Sequence, residues 1–150
     1  MLVLKKPILT SLFATLVALI ICKDTLAEVI QIEFTQFDRY SIEVAHIDIG
    51  DTIEWLPKNQ GHNVEFLAGP NMEALPPKSK MDELYSFLFQ EKGVYLYGCT
   101  PHLNTGMLGL IVVGDDFHNL EYINNLELPY VAKYVAMKLV MEAQSLAKPD

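Results

Sequence analysis

The sequence predicts an all-β sandwich of about eight short strands, extended by helix at its C-terminus. Three observations carry that prediction. Between Glu28 and Val113, short runs rich in Ile, Val, Phe and Tyr alternate with polar residues. Glycines and prolines punctuate those runs. Only after Gly114 does the apolar spacing change from two to three and four. At 150 residues the chain suits one domain with a full core.

The first segment stands apart from the domain. Lys5 and Lys6 precede an apolar run from Pro7 to Cys22, followed by Lys23, Asp24 and the small-residue site Thr25-Leu26-Ala27. This is the pattern of an export signal peptide over 1–27, cut after Ala27. The run is shorter than the ~20 residues that span a bilayer, so no stable membrane insertion is expected after cleavage. Bulky Ile21 before Cys22 argues against lipid attachment at that cysteine. Loss of the leader leaves Cys99 alone in an exported protein, where an unpaired cysteine is either reactive or bound to something.

In the mature chain, 28–150, Ile30, Ile32 and Phe34 alternate as one buried face of a first strand. Tyr40–Ile49 and Thr52–Trp55, separated by the turn signal Gly50-Asp51, read as two neighbouring antiparallel strands. Lys58-Asn59-Gln60-Gly61 is a loop, and His62 sits where it re-enters the sheet. Residues 68–80 hold Pro70, Pro76 and Pro77 and read as a long irregular connection wrapping the sandwich. Strand composition resumes in Leu84–Phe89, Gly93–Cys99 and Gly109–Val113. The helical tail covers about 116–148, with Val131, Val135, Leu139, Ala143 and Leu146 as its apolar stripe and Pro129 and Pro149 marking start and stop.

The formal charge is −8, and the leader carries Lys5, Lys6 and Lys23 against Asp24 alone, so its removal leaves −10. That balance excludes a nucleic-acid footprint and gives no sign of an anionic membrane partner.

The residues that bear chemistry are concentrated. Cys99, His102 and Met107 follow one another as C-x2-H-x4-M on a single hairpin, and Gly61-His62-Asn63 adds a second imidazole from elsewhere in the chain. Taken singly, Cys99 suits a small buried hydrophobe, Met107 a core filler and His62 a loop residue. Taken together they are a thiolate, two imidazoles and a thioether, the ligand set of a blue-copper electron-transfer site cycling between Cu(II) and Cu(I). His46 and His118 lack such company and read as ordinary histidines. Asn63 is suited to tie the two ligand loops together through Thr100 and the backbone around Cys99. Pro101 has no N–H to donate to the sulfur, which leaves electron density there and favours Cu(II). No further histidine cluster supplies a second metal, so the chain reads as a carrier and not an enzyme; copper storage or delivery with the same ligands is the alternative.

Gly61-His62-Asn63-Val64-Glu65, Cys99-Thr100-Pro101-His102 and Gly106-Met107 resemble the two ligand motifs of the cupredoxins, the small type 1 copper proteins. The helical tail makes the chain similar to the pseudoazurin group among them. The resemblance implies a Greek-key sandwich and one copper held by His62, Cys99, His102 and Met107. It also implies a carrier that docks transiently with redox proteins such as nitrite reductase and cytochromes; with the export signal this reads as a periplasmic protein, and a transient carrier is most simply a monomer. His102 would be the electron port, within an apolar collar of Pro101, Leu103 and Pro70. The chain departs from the group in having Thr105 for a common methionine, Ile42 for a common proline, and only Lys58, Lys78 and Lys80 where a ring of lysines is usual. An acidic rim of this kind predicts a basic partner.

Overall fold

The computed structural model describes residues 26–147. The leader up to residue 25 and the stop signal at Pro149 lie outside the described residues. Seven strands are found among the described residues: β1 Val29–Glu33, β2 Val44–Ile47, β3 Thr52–Leu56, β4 Glu65–Ala68, β5 Tyr85–Leu88, β6 Gly93–Gly98 and β7 Leu108–Val113. Two helices follow, α1 Leu120–Asn125 and α2 Tyr130–Leu146.

The strands form two sheets, β1-β3-β5 and β2-β7-β6-β4. β1 pairs parallel with β3 and β2 parallel with β7, while the remaining neighbours are antiparallel. This corrects the expectation that the segments on either side of Gly50-Asp51 pair with each other. The turn instead carries the chain from one sheet to the other. Gly50 takes the left-handed φ of 95° that this crossing requires, and buried Asp51 staples it. The Asp51 carboxylate accepts the N–H of Glu28 and of Asp48, each at 2.8 Å. The flanks of the turn bond to different sheets: the Gly50 N–H donates to the Phe89 carbonyl beside β5 and the Gly114 N–H to the Ile47 carbonyl at the end of β2, each at 2.8 Å.

One core lies between the sheets, built from Ile32, Phe34, Tyr40, Trp55, Phe66, Tyr95, Tyr97, Ile111 and Val113 with Cys99 and Met107 at its margin. A second lies between the four-stranded sheet and the helices, where Val94, Leu96, Leu108, Leu110 and Val112 meet Ala132, Ala136, Leu139, Val140 and Ala143. Every residue of β6 and β7 is buried because both faces are covered. That accounts for their near-continuous apolar composition, in contrast to the alternation of β1.

The helical stripe is rotated from the expected one. Leu139 and Ala143 face the sheet as anticipated, but Val131 and Leu146 are exposed and Ala132, Ala136 and Val140 are buried. Small alanines let the helix approach the flat face of β7, and the bulkier Val131 is left at the edge. No helix among the described residues is long and apolar enough to cross a membrane.

Candidate metal centre

β6 ends at Gly98 and delivers Cys99 to the rim of the sandwich. The Cys99 N–H donates to the Met107 carbonyl at 3.0 Å, continuing the β6–β7 ladder into the loop. His102 N–H reaches the Cys99 carbonyl at 3.1 Å, and the N–H groups of Thr105 and Met107 both return to the His102 carbonyl at 3.1 Å. A 3-10 turn at Leu103–Thr105 closes on Gly106, whose φ of 85° reverses the chain. Thr105 also donates its hydroxyl to the His102 carbonyl at 2.9 Å. Few backbone groups in the loop are left free to drive it elsewhere, so three candidate ligands sit on a stiff frame.

His62 is held from the other side. Asp82 accepts the N–H of Gly61 at 2.6 Å and of His62 at 3.0 Å, and its own N–H donates to the His62 carbonyl at 2.9 Å. Ser79 and Val64 exchange a second pair of bonds, at 2.8 and 2.9 Å. The irregular connection predicted over 68–80 thus continues into a clamp on the His62 loop. Tyr40, buried, donates its hydroxyl to the Asn63 carbonyl at 2.8 Å. Asp82, Ser79 and Tyr40 carry no motif of their own in the sequence; only the need of an irregular loop for backbone partners hints at them.

Asn63 receives the Thr100 N–H at 2.8 Å and donates to the Thr100 hydroxyl at 2.9 Å, joining the two ligand loops as expected. That hydroxyl donates in turn to the Glu65 carboxylate at 2.6 Å, and Glu65 lies 3.4 Å from Lys78. Pro101 is exposed. Pro70 does not reach the collar: it packs against Gly93, at the opposite end of β6 from Cys99. His46 and His118 stand away from the centre, His46 against the Ala143 carbonyl at 3.1 Å and His118 on Asp116 at 2.7 Å.

Three donor atoms converge. The ligand atoms of His62, Cys99 and His102 lie within 4.8 Å of one another, with Nδ1 of His62 3.8 Å and Nδ1 of His102 3.5 Å from Cys99 Sγ. The two imidazoles lie 4.9 Å apart between centroids. Met107 is buried in the same cluster as Cys99. Burial pushes the Cys99 thiol up, the backbone N–H groups of Asn63 and His102 pull it back, and the Asp38 and Asp82 carboxylates push it up again. His62 is pushed down, first by burial and next by His102, with Asp38 and Asp82 acting the other way. A neutral imidazole is ready to donate its lone pair, whereas the thiol must release a proton when a metal binds. One soft sulfur and two imidazole nitrogens, with a buried methionine in the same cluster as the cysteine, fit copper.

Residues 26–114 match the model of the copper binding proteins, plastocyanin/azurin family. The pseudoazurin of Paracoccus pantotrophus is 38% identical over 89 residues, covering 56% of this chain and 59% of that protein. That of Methylorubrum extorquens is 37% identical over 79 residues, covering 52% and 53%. The chain therefore spans little more than half the length of these curated relatives. A solved pseudoazurin structure from Sinorhizobium superposes with a TM-score of 0.72 at 30% identity, covering 79% of this chain and 98% of the other. With its donor set and its fold in agreement, the chain belongs to the plastocyanin/azurin family of copper-binding proteins, and within it to the pseudoazurins.

Proposed function

We propose that this protein carries single electrons between redox proteins of the periplasm, using one copper held by His62, Cys99, His102 and Met107. The observation that carries the reading is the convergence of both Nδ1 atoms on Cys99 Sγ inside a frame closed by hydrogen bonds. Bound there, copper would supply a one-electron Cu(II)/Cu(I) couple.

The side chains have separate tasks. Cys99, fully buried, provides the sulfur and excludes water from it. His62, its side chain 3% exposed, anchors the centre to the body of the sandwich, whereas His102 is 27% exposed and offers its imidazole edge as the electron port. Exposed Pro101 and half-buried Leu103 flank that edge with apolar surface, which suits brief docking. Met107, buried in the same cluster as Cys99, would be the fourth and weaker donor to the copper. The bonds of Asn63 and Asp82 hold the ligand loops in place, so little rearrangement accompanies a change of charge. Carrying electrons in this way requires no substrate and no catalytic residue.

Carboxylates stand near the port: Asp38 lies 3.7 Å from Nε2 of His102, and Glu65 accepts the Thr100 hydroxyl beside Cys99. Lys78 and Lys80 lie 3.4 and 3.5 Å from Glu65 and Glu83, which offsets two of the few lysines available for docking. A cationic partner surface fits this rim better than an acidic one, and the partner acts as a transient visitor to a monomer. Residues 1–27 would serve as the export signal, removed after Ala27; the mass of the secreted protein tests that boundary.

The function itself is tested by reversible voltammetry of the copper-loaded protein beside a Cu(I) chelator challenge. A carrier shows a reversible one-electron wave and keeps its copper for the duration of many reductions. Rapid loss of Cu(I) to the chelator points to storage or delivery and contradicts the carrier reading.

A further inference from the structure

The outward edges of the two candidate ligand imidazoles meet one carboxylate. Asp38 Oδ1 lies 3.7 Å from Nε2 of His62 and 3.7 Å from Nε2 of His102. Their inward edges, the Nδ1 atoms, are the ones that face Cys99 Sγ. Each ring thus has one nitrogen on the sulfur side and the other on the Asp38 side. A metal held at Nδ1 leaves the proton on Nε2, and a carboxylate beside that N–H fixes the tautomer and ring orientation and strengthens the donor.

Asp38 is placed there by a constrained turn. Phe34 and Tyr40 pair as an antiparallel bridge at its base, and the Thr35 N–H donates to the Arg39 carbonyl at 2.9 Å across it. At the tip Asp38 has a φ of 53°, the left-handed region that few residues other than glycine adopt and that aspartate tolerates. The adjacent cation does not neutralise it, because the Arg39 guanidinium is turned to Glu43 with bonds of 2.6 and 2.5 Å. Tyr40, at the foot of the turn, is itself bonded to the Asn63 carbonyl, so the turn is tied to the ligand loops. A left-handed aspartate with its charge left over two imidazoles is a placement the fold must maintain.

We propose that Asp38 is a positioning residue of the metal centre: its carboxylate holds both imidazoles with Nε2–H outward, and its negative charge beside them favours Cu(II) over Cu(I). The proposal rests on the copper reading of the same site. At 3.7 Å the contact is one of charge with a ring N–H and not a full hydrogen bond. Its effect belongs at the low end of the 10–100-fold range typical for outer partners of a metal-binding histidine, about tenfold.

The test compares midpoint potentials of the copper-loaded full chain with those of Asp38→Asn, Asp38→Ala and Glu121→Gln. Asparagine keeps the shape and the left-handed turn while removing the charge. Glu121 lies in α1, which follows Asn119; that residue accepts the Val94 N–H at 2.8 Å, at the end of β6 away from Cys99. Both Asp38 variants are expected to lose about tenfold in Cu(II)-over-Cu(I) preference, a rise of about 59 mV for a one-electron couple. Glu121→Gln is expected to leave the potential in place. Asp38→Asn at the wild-type potential overturns the proposal, whatever Asp38→Ala does. So does a shift as large in Glu121→Gln, since charge alone and not its place would then matter. Wild-type protein that forms no coloured copper centre overturns the copper reading instead, and the two failures are distinguishable.

Discussion

Asn63 uses both ends of its side-chain amide on Thr100, and its own carbonyl receives the Tyr40 hydroxyl. Replacing it by alanine removes the link between the His62 loop and the Cys99 loop and leaves the Thr100 N–H without that acceptor. Asn63→Ala should therefore lose copper to a chelator about tenfold faster or shift the midpoint potential, as outer partners of metal ligands generally do. An unchanged potential together with unchanged copper loss would contradict the role. At this scale the sequence was informative where chemistry is local. Gly-His-Asn and C-x2-H-x4-M name their residues by type and spacing, and Asn63 could be paired with Thr100 because both adjoin ligands. Asp38, Asp82 and Tyr40 were not legible, since each acts on a residue more than 18 positions away, and nothing in Gln36-Phe37-Asp38 marks it as lying over two imidazoles.

Among the elements, β6 and β7 do most to position the centre, and their hairpin was readable from composition and glycine punctuation. The partners of β2 and β3 were not. A Gly-Asp turn between two strand-like runs has the local chemistry of a hairpin, and only the long-range pairings, β2 with β7 and β3 with β1 and β5, show that the chain changes sheets. The helix is legible in extent, but its buried face is not: spacing favours the large side chains Val131 and Leu146, whereas the small Ala132 and Ala136 are the ones buried against the sheet. The observed face makes a direct prediction. Leu139→Ala, at a position 3% exposed, should cost about 2–5 kcal/mol of stability in the metal-free protein. Met141→Ala, at 68% exposed, should stay within about 0.5 kcal/mol of the parent. Chemical denaturation of the two variants measures this, and equal losses would mean that the helix does not dock as described.

For the molecule as a whole, the aromatic core sets an alkaline limit. Burial raises Tyr85 and Tyr95 to about 12, Glu91 adding to the effect on Tyr95, and Tyr40 and Tyr97 are also raised, chiefly by burial. An unfolded tyrosine releases its proton near pH 10, so above that pH the folded state holds protons that the unfolded chain has lost. Stability should therefore be level with respect to these groups below about pH 10 and fall as pH rises through about 12. Urea midpoints of the metal-free protein across that range check the sign; a midpoint rising between pH 10 and 12 would contradict it. The acidic surface makes a second claim at this scale. Electron transfer to a basic redox partner should slow as ionic strength rises, because salt screens the attraction that brings the two together. A salt-independent or rising rate would count against the acidic rim as a docking surface.

Electron carriage by this protein depends most on four side chains meeting at one metal. The direct measurement is the visible absorption spectrum of the protein after addition of Cu(II), then ascorbate, then ferricyanide. The expected result is an intense blue or green colour that bleaches on reduction and returns on oxidation, with the Cys99 thiol retained. A pale product with oxidised Cys99 would mean that the sulfur and the imidazoles do not close on the metal, and would contradict it.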